Sequence, residues 1–116
     1  MTSVGTAQAR ELLDGARSRV ADGWCQGSEA FDSAGFGVDP WDPQACCWSL
    51  LGAIVASFEH AKDGADGRVL LGELTTALSA LAEEIHDPSL AAWNDDPRRT
   101  HTEVVAVLDG ALGRLH

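Results

Sequence analysis

Apolar positions recur at helical spacing along most of the chain and lose that spacing in one stretch. From Thr6 to Asp22 they fall at Ala9, Leu12, Leu13, Ala16 and Val20, with Arg10, Glu11, Asp14, Arg17 and Arg19 on the other faces. This pattern predicts an amphipathic helix with one buried stripe. From Asp42 to His60 the chain is apolar nearly all round: Ala45, Cys46, Cys47, Trp48, Leu50, Leu51, Ala53, Ile54, Val55, Ala56 and Phe58. Asp42-Pro43 reads as an N-cap followed by a first-turn proline, so a second, central helix is expected to begin there. Gly52 inside it costs about 1 kcal/mol relative to Ala, which a close helix crossing would explain. After a turn at residues 62–67, a third helix is predicted from Arg68 to His86, with Leu70, Leu71, Leu74, Leu78, Leu81 and Ile85 on one face. Asp87-Pro88 opens a short helical turn that ends near Trp93, and Asn94 to Arg99 form a polar linker. Thr100 and Glu103 have the spacing of a capping box, and the last helix carries Val104, Val105, Leu108, Ala111, Leu112 and Leu115.

The exception is the stretch 23–42. Four glycines and a proline break its periodicity, yet it holds Trp24, Phe31, Phe36 and Trp41. A loop this long in a compact domain is uncommon and often functional. Its aromatic content predicts a wrap packed over the helices rather than a free linker. No strand pattern and no internal repeat emerge. The expected fold is therefore all-α: one domain over residues 1–116, a small bundle of four main helices with a long Trp- and Gly-containing loop after the first helix.

Composition narrows the class. The chain has 116 residues, 45% of them hydrophobic, which is enough to supply a core. It carries 8 Lys and Arg against 18 Asp and Glu, a net charge of −10. That balance argues against partners such as nucleic acid, whose phosphates need Lys and Arg, and against an anionic membrane surface. The N-terminus Met1-Thr2-Ser3-Val4 has no basic flank or apolar run of a secretory signal, which predicts a cytoplasmic protein. Three cysteines in such a chain are expected to be free thiols.

Several motifs occur in a familiar order: Gly23-Trp24-x-Gln26-Gly27, then Cys46 and Cys47 followed by Gly52-Ala53, then Trp93-Asn94-Asp95-x-Pro97-x-x-Thr100-x-x-Glu103-Val104. Together they resemble an uncharacterised family of small helical proteins of bacteria and their phages. The resemblance runs from about Leu12 to Leu112. It implies one small domain and no particular reaction.

Candidate chemistry centres on Trp93-Asn94-Asp95. An indole, an amide and a carboxylate in a row can line a polar pocket, with Gln26 adding a second amide and Trp24 closing the pocket from the loop. The expected function is binding of a small organic ligand between the 23–42 loop and this turn. If the domain is an enzyme, Asp95 is the general base or electrostatic stabiliser and His101 the second proton-transfer group. Hydration, cyclisation or isomerisation would suit such a site, because none of them needs a cofactor. A structural reading stands beside this one. Asn is a common left-handed helix terminator, Asp bonds linker amides, and Trp93 seals the core. A second functional reading is an acidic module that binds a protein partner, or a homodimer that covers the apolar central helix. The thiols offer less, although Cys46 in the first turn of a helix could have a lowered pKa, with His60 or His101 as base. Glu83-x-x-His86 has di-iron spacing but occurs once where two are needed, so no metal is expected.

Overall fold

In the computed structural model, which describes residues 4–62 and 67–115, the first apolar stripe builds helix α1, Val4–Asp22. Its stripe residues Ala9, Leu12, Leu13, Ala16 and Val20 are buried as expected. Four further helices follow among the described residues: α2, Leu50–Lys62; α3, Gly67–Ile85; α4, Leu90–Asn94; and α5, His101–Arg114. The turn expected at 62–67 lies, apart from its two ends, outside the described residues, as do Met1 to Ser3. Helix α1 is the hub, touching α2, α3 and α5. Leu12, Leu13 and Val20 of α1 meet Leu50 and Ile54 of α2, Leu81 of α3, and Val104 and Leu108 of α5 in one apolar core. The apolar faces of α2 are thus covered from within the chain, by α1, α3 and α4.

The helix ends follow their local chemistry. Thr100 caps α5 through a complete capping box: its hydroxyl accepts from the Glu103 amide, and the Glu103 carboxylate accepts from the Thr100 amide. Ser89 caps α4 by accepting from the Ala92 amide. Helix α3 is terminated just past Ile85 by His86, whose φ of 56° places it in the left-handed region.

The expected start of the second helix at Asp42 is wrong by about two turns, and the fold is not purely all-α. Residues Ala45–Trp48 form strand β2, paired antiparallel with strand β1, Ala30–Asp32. Ala30 faces Trp48 and Phe31 faces Cys47, with a bulge before Asp32 meets Ala45. Two single bridges extend this pair, Phe31 to Gly37 on one side and Trp24 to Trp48 on the other. The long loop is therefore a miniature β insert, ordered 36–38, β1, β2, 23–25. An apolar run reads alike for a buried helix and a strand, so periodicity alone did not separate them. Asp42 caps a turn instead of a helix, accepting from the Gln44 amide at 2.8 Å. The cap of α2 is Ser49, whose hydroxyl accepts from the Gly52 amide at 3.0 Å.

Gly52 also has a different reason from the one expected. A Cβ there would overlap the carbonyl of Glu29, so the close approach is by the insert's backbone and not by a helix. The close helix crossing sits at Gly15 of α1, where the Ser57 hydroxyl of α2 donates to the Leu12 carbonyl at 2.8 Å. Gly52→Ala should therefore lower stability by about 1–3 kcal/mol through overpacking, despite the better helix propensity of Ala. Urea unfolding measures this, and a stabilised variant would show that the insert does not rest on α2.

Candidate functional site

The residues singled out on the loop and on the Trp93-Asn94-Asp95 turn do meet. Helix α4 ends at Asn94, whose side chain is fully buried against the insert. Its Oδ1 accepts from the Trp24 indole at 2.8 Å and from the Leu50 amide at 3.0 Å. Its Nδ2 donates to the Cys25 carbonyl at 3.1 Å and to the Asp95 carboxylate at 3.2 Å. A side-chain amide offers two lone pairs and two hydrogens, so Asn94 is saturated by the chain itself. Gln26 donates to the carbonyls of Asn94 and Asp96, both at 2.8 Å. The Asp95 carboxylate accepts from the Gly27 amide at 3.0 Å.

The flanking residues complete the contact. The Arg99 guanidinium lies 3.7 Å from the centre of the Trp93 ring and donates to the Trp93 carbonyl at 3.0 Å. His101 stacks on Trp24 with ring centres 6.2 Å apart, and its Nε2 bonds the Val20 carbonyl. All six predicted residues thus sit in one region, but as a tie between insert, α2 and α4. Asn94 is the last residue of α4 and not its left-handed terminator. No hydrogen bond joins Asp95 to His101.

The insert has a second, open side. Between it and the α1–α2 pair lies a groove of about 600 Å³. Its walls carry Trp41 and Trp48 from the insert, Arg19 and Asp22 from α1, and Glu59 and His60 from α2. Trp41 is 53% exposed. The Trp48 indole donates to the Pro40 carbonyl at 2.9 Å, which fixes the floor. Glu59 is paired with Lys62 at 2.8 Å. Sequence reading placed Trp41 in the loop and Arg19 on the polar side of α1 without joining them. The available signal was Pro40-Trp41-Asp42-Pro43, a rigid turn that holds an indole out from the helices.

The model of one family, described as "Family of unknown function (DUF6197)", matches residues 5–114. The chain belongs to this family. No curated protein and no solved structure matches the chain. Membership in DUF6197 agrees with the resemblance to an uncharacterised family and brings no reaction with it.

The thiols of this DUF6197 member all sit on the insert. Cys46 is exposed on strand β2 and not in a helical turn, and its pKa is raised by desolvation and by neighbouring Cys47. Burial, and then Cys47, push the Cys25 thiol up to about 12. Among the described residues no group of three or more metal-ligating side chains forms. Glu83 and Glu84 instead pair with Arg114 of α5, at 3.5 and 2.7 Å. No helix among the described residues is long and apolar enough to cross a membrane.

Two predictions test this account. Asn94→Ala strands the half-buried Trp24 indole and the buried Leu50 amide, so stability should fall by about 2–4 kcal/mol. Thermal or urea unfolding reads the loss, and an unchanged midpoint would show that the tie is not structural. For Cys25, the ordinary thiol value of 9.0 applies to the unfolded chain, while the folded group titrates near 12. Below the lower value both states hold the proton and stability is intact. Above it the unfolded thiol ionises first, so stability should fall as pH rises across that window. The decline should be shallower in Cys25→Ala, and parallel pH curves would remove the buried thiol from the explanation.

Proposed function

We propose that this protein is a small-molecule-binding domain whose ligand lies in the groove between the insert and the α1–α2 pair. The observation that carries the reading is Trp41, an indole held half-exposed by a proline-flanked turn over an open groove. A volume of about 600 Å³ is within the range of ordinary ligand sites. Such sites combine an apolar or aromatic wall with a few polar groups, and here Arg19, Asp22 and His60 supply those groups.

The pocket expected at Trp93-Asn94-Asp95 takes a supporting role in this reading. The amides there are engaged by the chain, so they hold the insert in place while its other side meets the ligand. A ligand site benefits from such rigid backing, because less ordering is left to the binding step. No catalytic step is part of the proposal, since Asp95 and His101 are not joined and neither lines the groove.

A thermal-shift screen against small polar metabolites tests it. A ligand at a hundred times its Kd should stabilise the protein by about 2.7 kcal/mol. Trp41→Ala should abolish that shift while changing the unliganded protein by no more than about 0.5 kcal/mol, as for other exposed positions. Shifts that survive Trp41→Ala would place the ligand elsewhere.

A further inference from the structure

The charges of the groove are unevenly partnered. Glu59 pairs with Lys62, and Asp42 accepts from the Gln44 amide. The side chain of Asp22, the last residue of α1, has no hydrogen bond or ion pair among the described residues. Arg19 makes one hydrogen bond, to the Gly15 carbonyl of its own helix at 3.1 Å, and no ion pair among the described residues. That bond is to the preceding turn of its own helix. Arg19 is half-buried, and that burial pulls its pKa down.

This unpaired arginine stands out against the others. The chain holds 8 Lys and Arg against 18 Asp and Glu, so carboxylates outnumber cations. Arg17, Arg98 and Arg99 each pair with one, and Arg114 with two. Arg10 instead bonds the carbonyls of Leu112 and Leu115 at the end of α5. Arg19 alone among the described arginine side chains serves neither a carboxylate nor another element. It does so on the wall of the groove, one helical turn from an equally unpartnered aspartate.

We propose that the groove takes an amino-acid-like zwitterion: a small molecule whose carboxylate meets Arg19, whose ammonium meets Asp22, and whose apolar body lies on Trp41. The inference rests on the groove reading above and names its ligand class. Three arguments converge on it. A guanidinium offers five donors in a fork that fits a carboxylate, and four of them are unengaged here. An ammonium near Asp22 gains both a charge partner and the face of an indole. A lone carboxylate would be repelled by the net charge of −10, whereas a zwitterion has none to repel. A lone cation would leave Arg19 unmatched.

The test compares three probes that differ only in their charged groups: phenylalanine, phenethylamine and 3-phenylpropanoate. Each is titrated into the intact protein while the tryptophan indole resonances are followed by NMR. Phenylalanine should bind about tenfold more tightly than either probe with one charge, the effect of one charge-assisted contact. Arg19→Gln should bring phenylalanine down to the affinity of phenethylamine, and Asp22→Asn down to that of 3-phenylpropanoate. Both variants keep the helix, and their far-UV circular dichroism should match the parent. If phenethylamine or 3-phenylpropanoate binds the parent as tightly as phenylalanine, the groove is a site for one charge and the zwitterion is overturned, with the groove reading intact. If none of the three shifts the Trp41 resonance, the zwitterion is overturned. The groove reading is then decided separately, by whether any screened ligand depends on Trp41.

Discussion

The amide of Asn94 is the point on which the rest of the structure hangs. A buried amide with unmet hydrogen bonds would destabilise the fold by about 1–3 kcal/mol or more. This one meets all four, and the partners come from three separate parts of the chain. One is the indole of Trp24, which fixes the start of the insert. Another is the amide of Leu50, which is otherwise an open donor at the first turn of α2. The third is the Asp95 carboxylate, which in turn holds the Gly27 amide. Removing the amide would release the insert, unsatisfy a helix end and loosen α4 together.

With Trp24 fixed, the insert follows. The Cys25 amide donates to the Trp48 carbonyl and the Trp48 amide to the Gly23 carbonyl, so the anchored segment becomes one edge of the small sheet. Strand β2 then carries the register to β1, and β1 to Gly37. Two glycines let this sheet lie flat on its neighbours. A Cβ at Gly23 would overlap the Cys46 carbonyl, and one at Gly52 would overlap the Glu29 carbonyl. The sheet has few strands and short ones, so its stability comes from docking and not from its own ladder. That is why an amide on α4 governs the geometry of Trp41 on the far side of the insert.

The helices were legible because each repeats an apolar position every three to four residues over several turns, and the capping box of Thr100 and Glu103 is a local pattern. The β insert was not, for a physical reason. Ala45-Cys46-Cys47-Trp48 is apolar on every face, and the choice between helix and strand was made by partners distant in sequence, the backbones of residues 23–25 and 30–32. Ser49 two residues ahead of Leu51 was the available clue to the true helix start. The candidate residues were legible as a group: Trp24, Gln26, Asn94 and Asp95 do converge. Their engagement with one another was not, because it depends on which backbone groups arrive beside Asn94. The groove was missed for the same kind of reason. Arg19 and Trp41 are 22 positions apart in the sequence (41 − 19), and only the sheet brings their elements to one cleft.

The charge pattern closes the link between scaffold and site. In a chain this acidic, a cation without an anionic partner is the rarer state, since the surrounding field favours pairing. Surface pairs of this kind contribute little stability each, about 0–1 kcal/mol, so folding alone does not dictate which arginines are paired. What does dictate it is reach. Arg17 and Arg114 lie opposite carboxylates on neighbouring helices, Asp109 and Glu84. Arg99 lies one turn before Glu103 on the same helix end. Arg19 lines the groove with Trp41, Asp42 and Trp48 of the insert, and its one side-chain bond stays within α1. The same sheet that Asn94 anchors therefore sets which groups stand across the groove from Arg19.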